Sequence, residues 1–469
     1  RATIVGRKDE QWQGDVLRGL QAPQVRVHLM GIGGIGMAGL ARLLAAKGQV
    51  VSGCDAGSPR TLNWLRAQGI AAVTGHNPAH VQDVDWAIFS PALQPGHPER
   101  AAAEKRGIPL YRRGQVLPVL AELWRTTIAV AGTHGKTTTS AMITHILREC
   151  GVDVSWCIGG ELPPTGAPGG VGSADELVIE ADESDGTLAY YRPAIAVITN
   201  IEFDHMEHFA SPEDFLATFQ VFAQQARTVI YSADDASTAR VGAAVQGLSF
   251  GLAPGADFRG EDVEMTPDGA RFTVQGIRVV LPLTGQHNVV NALGALAAAT
   301  RGGIDLAAAT ATLQTFALPK RRFECAGDVR GIRVVADYAH HPTEIRALLA
   351  AAKQAGADRI WAVFQPHRYT RTLALGADFP PAFDQADGVI LTPVYSASEP
   401  PLAGGTAEDL CKHFWRHGGA PVELAKNFAD AAAFVSAHAQ PGDWVLIIGA
   451  GDIEQLAPLL LQKLADSAH

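Results

Sequence analysis

The chain has 469 residues, 47% of them hydrophobic and 18% charged, and a formal net charge of −10. That length exceeds one hydrophobic core and predicts about two to four domains, with three expected, while the composition excludes the disordered and fibrous classes. The acidic balance provides no general field for nucleic acid or an anionic membrane surface, so anionic ligands must be captured by local cations.

The five cysteines (Cys54, Cys150, Cys157, Cys325 and Cys411) are scattered and contain no C-x-x-C pair. This argues against a disulfide framework and against a structural zinc site, and it fits a reducing compartment. Residues 1–24 carry Arg1, Arg7, Lys8, Asp9, Glu10, Asp15 and Arg18, without an apolar stretch suited to a signal peptide. No apolar run reaches the ~18 residues of a membrane span. A cytoplasmic location without membrane insertion is expected.

A short apolar strand over residues 25–30 leads into the turn Gly31-Ile32-Gly33-Gly34-Ile35-Gly36 and a helix over 37–46. A second strand over 50–53 brings Asp55 to its end, about 20 residues after the loop, where nucleotide-binding folds place an acid on a ribose hydroxyl. Helix N-terminal amides at such a turn cradle a pyrophosphate. Either a UDP moiety or NAD satisfies them.

The next module opens with a strand over 127–131, the loop Gly132-Thr133-His134-Gly135-Lys136, and a helix over 137–150. Backbone N–H groups, the helix dipole and Lys136 would all face an incoming phosphate, with Thr137 on magnesium. The loop departs from G-x-x-x-x-G-K-[ST], because Val130 stands where the first glycine belongs. Apolar strands over 176–180 and 194–200 are followed by Glu180, Asp182, Glu183 and Asp185, and by Glu202, Asp204 and His205. Carboxylates crowded beside a phosphate loop imply a divalent metal between them.

A third module begins after Pro319, with strands over 333–336, 360–364, 388–392 and 444–448. Lys320-Arg321-Arg322 marks the junction, and His367-Arg368-Tyr369-Thr370-Arg371 follows a strand, where a guanidinium suits a bidentate grip on a carboxylate. The adjacent His340 and His341 predict capping or nucleotide contact rather than a shared metal. The whole reads as three α/β domains, 1–125, 126–319 and 320–469.

Together these segments resemble the Mur ligases. The marks are His28-Leu29-Met30 with the first glycine turn, residues 131–139, Glu180-Ala181-Asp182-Glu183-Ser184-Asp185, Thr199-Asn200-Ile201-Glu202, Asp204-His205-Met206, Gly285-Gln286-His287-Asn288, Arg321-Arg322-Phe323-Glu324, residues 337–344, and residues 364–372. The resemblance implies a Rossmann-like N-terminal domain that binds a UDP sugar and a central P-loop-type ATPase domain with a mostly parallel sheet. A C-terminal Rossmann-like α/β domain would hold the amino acid. It implies ATP and Mg2+ as cofactors, UDP-N-acetylmuramate and L-alanine as substrates, and an amide formed through an acyl phosphate in peptidoglycan synthesis. No nucleic acid is implied, and the assembly is expected to be a monomer or homodimer. The alternative within the family is the ligase that recycles a preformed murein tripeptide onto the same sugar nucleotide.

Residue by residue, the resemblance assigns Gly31, Gly33, Gly34, Gly36 and Asp55 to the sugar nucleotide. Gly132, Thr133, His134, Gly135, Lys136, Thr137 and Thr138 go to the ATP phosphates, His287 and Asn288 to adenine, and Arg322 and Asp337 to the nucleotide. Thr137, Glu183 and His205 are the implied metal ligands, and Tyr338, His340, His367, Arg368 and Arg371 the L-alanine pocket. Lys136, His205, His340 and His367 are the implied catalytic groups, with His340 or His367 as the base. The carbamylated lysine of several related ligases has no counterpart, because no lysine lies between Lys136 and Lys320.

Overall fold

A computed structural model describes residues 10–93, 96–204 and 208–466. The described chain divides into two compact units: residues up to 261 with 274–279 and 290–319, and residues 262–273 with 280–289 and those from 320 onward.

The first unit holds two sheets. Strands β1 (Arg26–Met30), β2 (Val50–Asp55), β3 (Ala71–Thr74), β4 (Trp86–Phe89) and β5 (Leu110–Arg112) form a parallel sheet in the order β3-β2-β1-β4-β5. Helices α1 (Glu10–Gln21), α2 (Ile35–Ala46), α3 (Pro59–Ala67), α4 (Pro98–Lys105) and α5 (Arg113–Ala121) belong to it. Because strand side chains alternate, Val27 and Leu29 join Leu40, Leu43 and Leu44 of α2 in one core. Met30 instead packs with Val81, Ala87 and Ala103 on the other face.

The second sheet runs β13-β12-β11-β10-β6-β9-β7-β8, from β6 (Thr126–Ala131), β7 (Ser155–Leu162), β8 (Ala167–Gly170), β9 (Glu176–Glu180), β10 (Ile195–Ile198), β11 (Thr228–Ser232), β12 (Leu248–Gly251) and β13 (Phe258–Arg259). Every pair is parallel except the β7–β8 hairpin. Helix α6 (Lys136–Glu149) follows β6. Its central strands IAVI and ELVIE are buried apolar runs, as strands covered on both faces must be. A three-stranded sheet, β14 (Glu261–Thr266), β15 (Gly269–Val274) and β16 (Ile277–Leu281), follows in the chain.

The second unit is built on a six-stranded sheet, β17-β18-β22-β19-β20-β21. Its strands are β17 (Glu324–Val329), β18 (Ile332–Asp337), β19 (Arg359–Phe364), β20 (Gly388–Leu391), β21 (Val422–Leu424) and β22 (Asp443–Ile448). Only the edge strand β17 is antiparallel. Two cores cover its faces, one around Ile360, Ala362 and Phe364 and the other around Val363, Val445 and Ile447.

The α/β class and the mostly parallel sheets agree with the sequence. The edge elements were not foreseen: α1, whose Val16 and Leu20 are buried, the β7–β8 hairpin, and β17. Of these, the edge strand β17 is largely solvent-facing and lacks the apolar run of the central strands, so its signal in sequence is faint.

Candidate active site

The β6–α6 turn is shaped for phosphate. Gly132 and Gly135 adopt φ of 140° and 79°, and a Cβ on them would lie 2.0 Å from Thr199 Oγ1 and 2.6 Å from Asn291 Oδ1. Only glycine fits such close approach at positive φ. The loop is braced from β10: Asn200 Oδ1 accepts His134 N at 2.8 Å, and Asn200 Nδ2 and Thr199 Oγ1 donate to His134 O at 3.0 and 2.6 Å. Thr133 Oγ1 donates to Glu202 O at 2.8 Å.

Lys136 Nζ donates to Gly132 O at 2.6 Å and to Glu183 Oε1 at 2.9 Å. Thr137 Oγ1 donates to Glu180 Oε2 at 2.9 Å, and Gly159 N reaches the same oxygen at 2.7 Å. The carboxylates meet the loop because β9 runs parallel beside β6, with Val130 opposite Glu180. Burial works against the Lys136 ammonium, but Glu183, Glu180 and Asp182 outweigh it and raise its pKa. The lysine therefore stays charged.

The first glycine turn sits at the carboxyl end of β1, with Gly31 N and Ile32 N donating to Cys54 O at 2.8 and 3.0 Å and Gly34 preceding α2 as its N-cap. Asp55 braces this turn, since Oδ2 accepts Gly33 N at 3.0 Å and Oδ1 accepts Gly57 N at 2.9 Å. The built position of a Cβ on Gly36 lies 2.8 Å from Arg113 Nη1. Arg113 also pairs with Asp182 at 3.3 Å, linking α5 to the end of β9.

In the second unit the carboxyl ends of β18, β19 and β20 converge. The rings of Tyr338 and His340 lie 5.8 Å apart, those of His340 and His367 5.8 Å apart, and His367 stacks on Tyr395 at 5.5 Å. Arg371, almost fully buried, places Nη1 3.1 Å from His367 Nδ1. Arg368 takes φ of 69° and sets Nη1 3.8 Å from Glu399 Oε1. The Arg321 and Arg322 guanidiniums lie 4.8 and 5.2 Å from the Tyr338 ring centre. Asp337 accepts Phe323 N and Ala339 N at 2.7 and 2.8 Å. Burial raises its pKa despite the opposing Arg322 charge. Burial also holds the His287 imidazole neutral, down to about 4.

Three family profiles match in order: "Mur ligase family, catalytic domain" over 26–125, "Mur ligase middle domain" over 130–299 and "Mur ligase, glutamate ligase domain" over 321–451. A UDP-N-acetylmuramate--L-alanine ligase of Gloeobacter violaceus is 40% identical over 93% of this chain and 95% of that protein. Its counterpart in Symbiobacterium thermophilum is 39% identical over 94% and 95%. The chain belongs to the Mur ligase family. Among solved structures, the UDP-N-acetylmuramate-alanine ligase of Thermotoga maritima superposes with a TM-score of 0.81 at 27% identity, covering 95% of this chain and all of that one. A murein peptide ligase of Psychrobacter arcticus gives 0.71 at 27% identity, over 94% and 99%.

For this Mur ligase the structure brings Gly132 through Thr138 together with Glu183 in one unit, and Arg322, Asp337, Tyr338, His340, His367 and Arg371 in the other. His287 and Asn288 fall with the second unit; Asn288 Nδ2 donates to Thr284 O at 2.8 Å. His341 caps the helix Pro342–Gln354, as expected, its Nδ1 accepting Thr343 N. His205 lies outside the described residues. Sequence reasoning counted Glu180 among the carboxylates that imply a metal without naming it a ligand, and assigned no site role to Arg113 or Asn200. A signal for Arg113 existed in the basic pair Arg112-Arg113 where β5 meets α5, but the fold of the first sheet brings it to the glycine turn and the packing of the second sheet brings it to Asp182.

Thr137, Glu180 and Glu183 are hard oxygen donors beside the phosphate loop, and Glu183 is buried against Lys136. That donor set fits magnesium, and the loop geometry fits the phosphates of ATP.

Proposed function

We propose that this Mur ligase joins L-alanine to the lactyl carboxylate of UDP-N-acetylmuramate, driven by ATP, in the peptidoglycan pathway of the cytoplasm. The observation that carries the reading is the braced glycine loop with the Lys136 ammonium between Gly132 O and Glu183, in a chain that covers 95% of an alanine-adding relative at 40% identity. The alanine specificity rests on the relatives and on the compact His367–Arg371 cluster.

A carboxylate at neutral pH does not accept an amine directly, so the γ-phosphoryl group must first pass to it. In this reading the loop amides and Lys136 hold the triphosphate and offset repulsion between the two anions. Thr137, Glu183 and His205 would hold Mg2+, which supplies further charge neutralisation when bound. Gly31, Gly33, Gly34 and Gly36 seat the sugar nucleotide's pyrophosphate, with Asp55 fixing the turn. The C-terminal cluster takes the amino acid: the arginines bind its carboxylate, and His340 or His367 removes a proton from its ammonium group so that the amine attacks the acyl phosphate. Phosphate leaves and the amide remains. The three sheets are taken as three domains with boundaries at residues 125 and 319.

Phosphate release with UDP-N-acetylmuramate should be faster with L-alanine than with the murein tripeptide; the reverse order would transfer the chain to the recycling class. Oxygen-18 in the lactyl carboxylate should appear in the released phosphate, and its complete retention would remove the acyl phosphate.

A further inference from the structure

The face of the N-terminal sheet opposite α2 contains a group of side chains that the ligation chemistry does not use. His28 from β1 and Cys54 from β2 point there, beneath the short helix Pro78–Val81, which contributes His80, and α4, which contributes Glu99, with His76 and His97 in the loops just before them. His28, Cys54 and Glu99 are at most 2% exposed. Cys54 Sγ lies 2.9 Å from Glu99 Oε2, 3.2 Å from His76 Nδ1 and 3.5 Å from His28 Nε2, and His80 Nδ1 lies 2.6 Å from Glu99 Oε1. One donor atom from each of His28, Cys54, His80 and Glu99 falls within 4.8 Å of all the others. Zinc bonds of about 2.0–2.3 Å in a tetrahedron require donors roughly 3.3–3.8 Å apart. The observed spacing brackets that requirement.

Two further observations separate this cluster from an ordinary polar network. The ligand atoms are already oriented from behind: Ser52 Oγ lies 2.9 Å from His28 Nδ1, leaving Nε2 towards Cys54, and Asn77 N donates to Glu99 Oε1 at 2.7 Å. Such outer contacts fix metal ligands in place. Moreover, Glu99 is a fully buried carboxylate that accepts hydrogen bonds from Cys54 Sγ and Asn77 N and faces the imidazoles of His76 and His80, with no Lys or Arg ion-pair partner among the described residues. Burial opposes its ionisation, but its hydrogen bonds outweigh burial and lower its pKa, so it stands as an ionised donor with no permanent cation beside it, and a divalent ion would meet that charge.

We propose that His28, Cys54, His80 and Glu99 bind one divalent transition-metal ion of the zinc class, flanked by His76 and His97. One thiolate, two imidazoles and one carboxylate suit zinc over magnesium or calcium, and four protein ligands leave no open position, so the role is structural. On binding, the Cys54 S–H bond breaks, sulfur joins the metal and the proton goes to solvent. The ion would tie the short helix and α4 to β1 and β2. It would also steady the first glycine turn, because Gly31 N and Ile32 N are bonded to Cys54 O.

The full chain, stripped with a chelator and then titrated with cobalt alone in magnesium-free buffer, should take up one ion and develop the strong visible bands of four-coordinate cobalt with a thiolate-to-metal charge-transfer band. Zinc should bleach both and raise the thermal midpoint. Cys54→Ser should lose the charge-transfer band. His80→Ala, at a partly exposed position, and Ser52→Ala should each weaken cobalt binding ~10–100-fold. Absence of the bands in the wild-type chain, or the same spectrum and affinity in Cys54→Ser or His80→Ala, would overturn the site and leave a hydrogen-bonded cluster.

Discussion

Lys136 is held between a loop carbonyl and a buried carboxylate, so its ammonium is placed before any phosphate arrives. Preorganised charge of that kind acts mainly on the transition state. Lys136→Ala should therefore lower kcat ~100–1,000-fold or more, read in a coupled phosphate-release assay with all substrates saturating; a change confined to KM for ATP would reduce the lysine to a tether. The arginines after β19 are expected to act on binding instead. Arg368→Ala should raise KM for L-alanine ~10-fold while leaving KM for ATP in place, the loss expected when one charge-assisted hydrogen bond is removed. An unchanged KM for L-alanine would take Arg368 out of the amino-acid pocket and leave the buried Arg371 as the remaining guanidinium beside His367.

Helix α2 meets β7 and β8 through a small residue. A Cβ on Gly39 would approach Cys157 Sγ to 2.7 Å and Pro168 O to 3.2 Å, so the helix packs against the second sheet at nearly backbone distance. Gly39→Val should destabilise the chain by about 1–3 kcal/mol through overpacking, measured as a fall in the urea midpoint at constant m. A stability equal to wild type would show that the helix can shift without cost. The same packing joins the first and second sheets into one continuous core, in which Phe215, Phe219 and Phe222 are buried together. That continuity explains why the described chain divides into two units although it contains three major sheets.

Across the molecule, the acidic excess makes individual cations decisive. Burial pushes the Asp182 carboxyl up, but Arg113 and Lys136 outweigh it and hold its pKa at about 2, down from 3.8. A carboxyl depressed by folding contributes stability above its unfolded value and loses it as pH falls through the folded one. Stability from this ion pair should thus be complete above about pH 4 and disappear towards pH 2. In Asp182→Asn the urea midpoint should vary less with pH across that window; an unaltered acid limb would show that Arg113 and Asp182 are uncoupled in solution.

Much of this molecule is legible in one dimension. Apolar runs such as IAVI, the glycines at 132 and 135, and the strand-end carboxylates announce a parallel α/β sheet with a phosphate loop, because strand burial and positive φ are local demands that local residue types must meet. The three-dimensional neighbours of those residues are not local. Asn200 bracing the loop from β10, Arg113 reaching from α5 to Asp182, and Asp55 bound to Gly33 N were decided by which strands lie side by side. The clearest case is His28, Cys54, His80 and Glu99. Scattered cysteines without a C-x-x-C pair argue against a structural zinc site, yet strand pairing and the packing of the short helix and α4 bring a thiol, imidazoles and a carboxylate within 4.8 Å of one another. Periodicity and turn chemistry are properties of neighbouring residues and survive in sequence, whereas a cluster drawn from distant segments exists only once burial has chosen the packing.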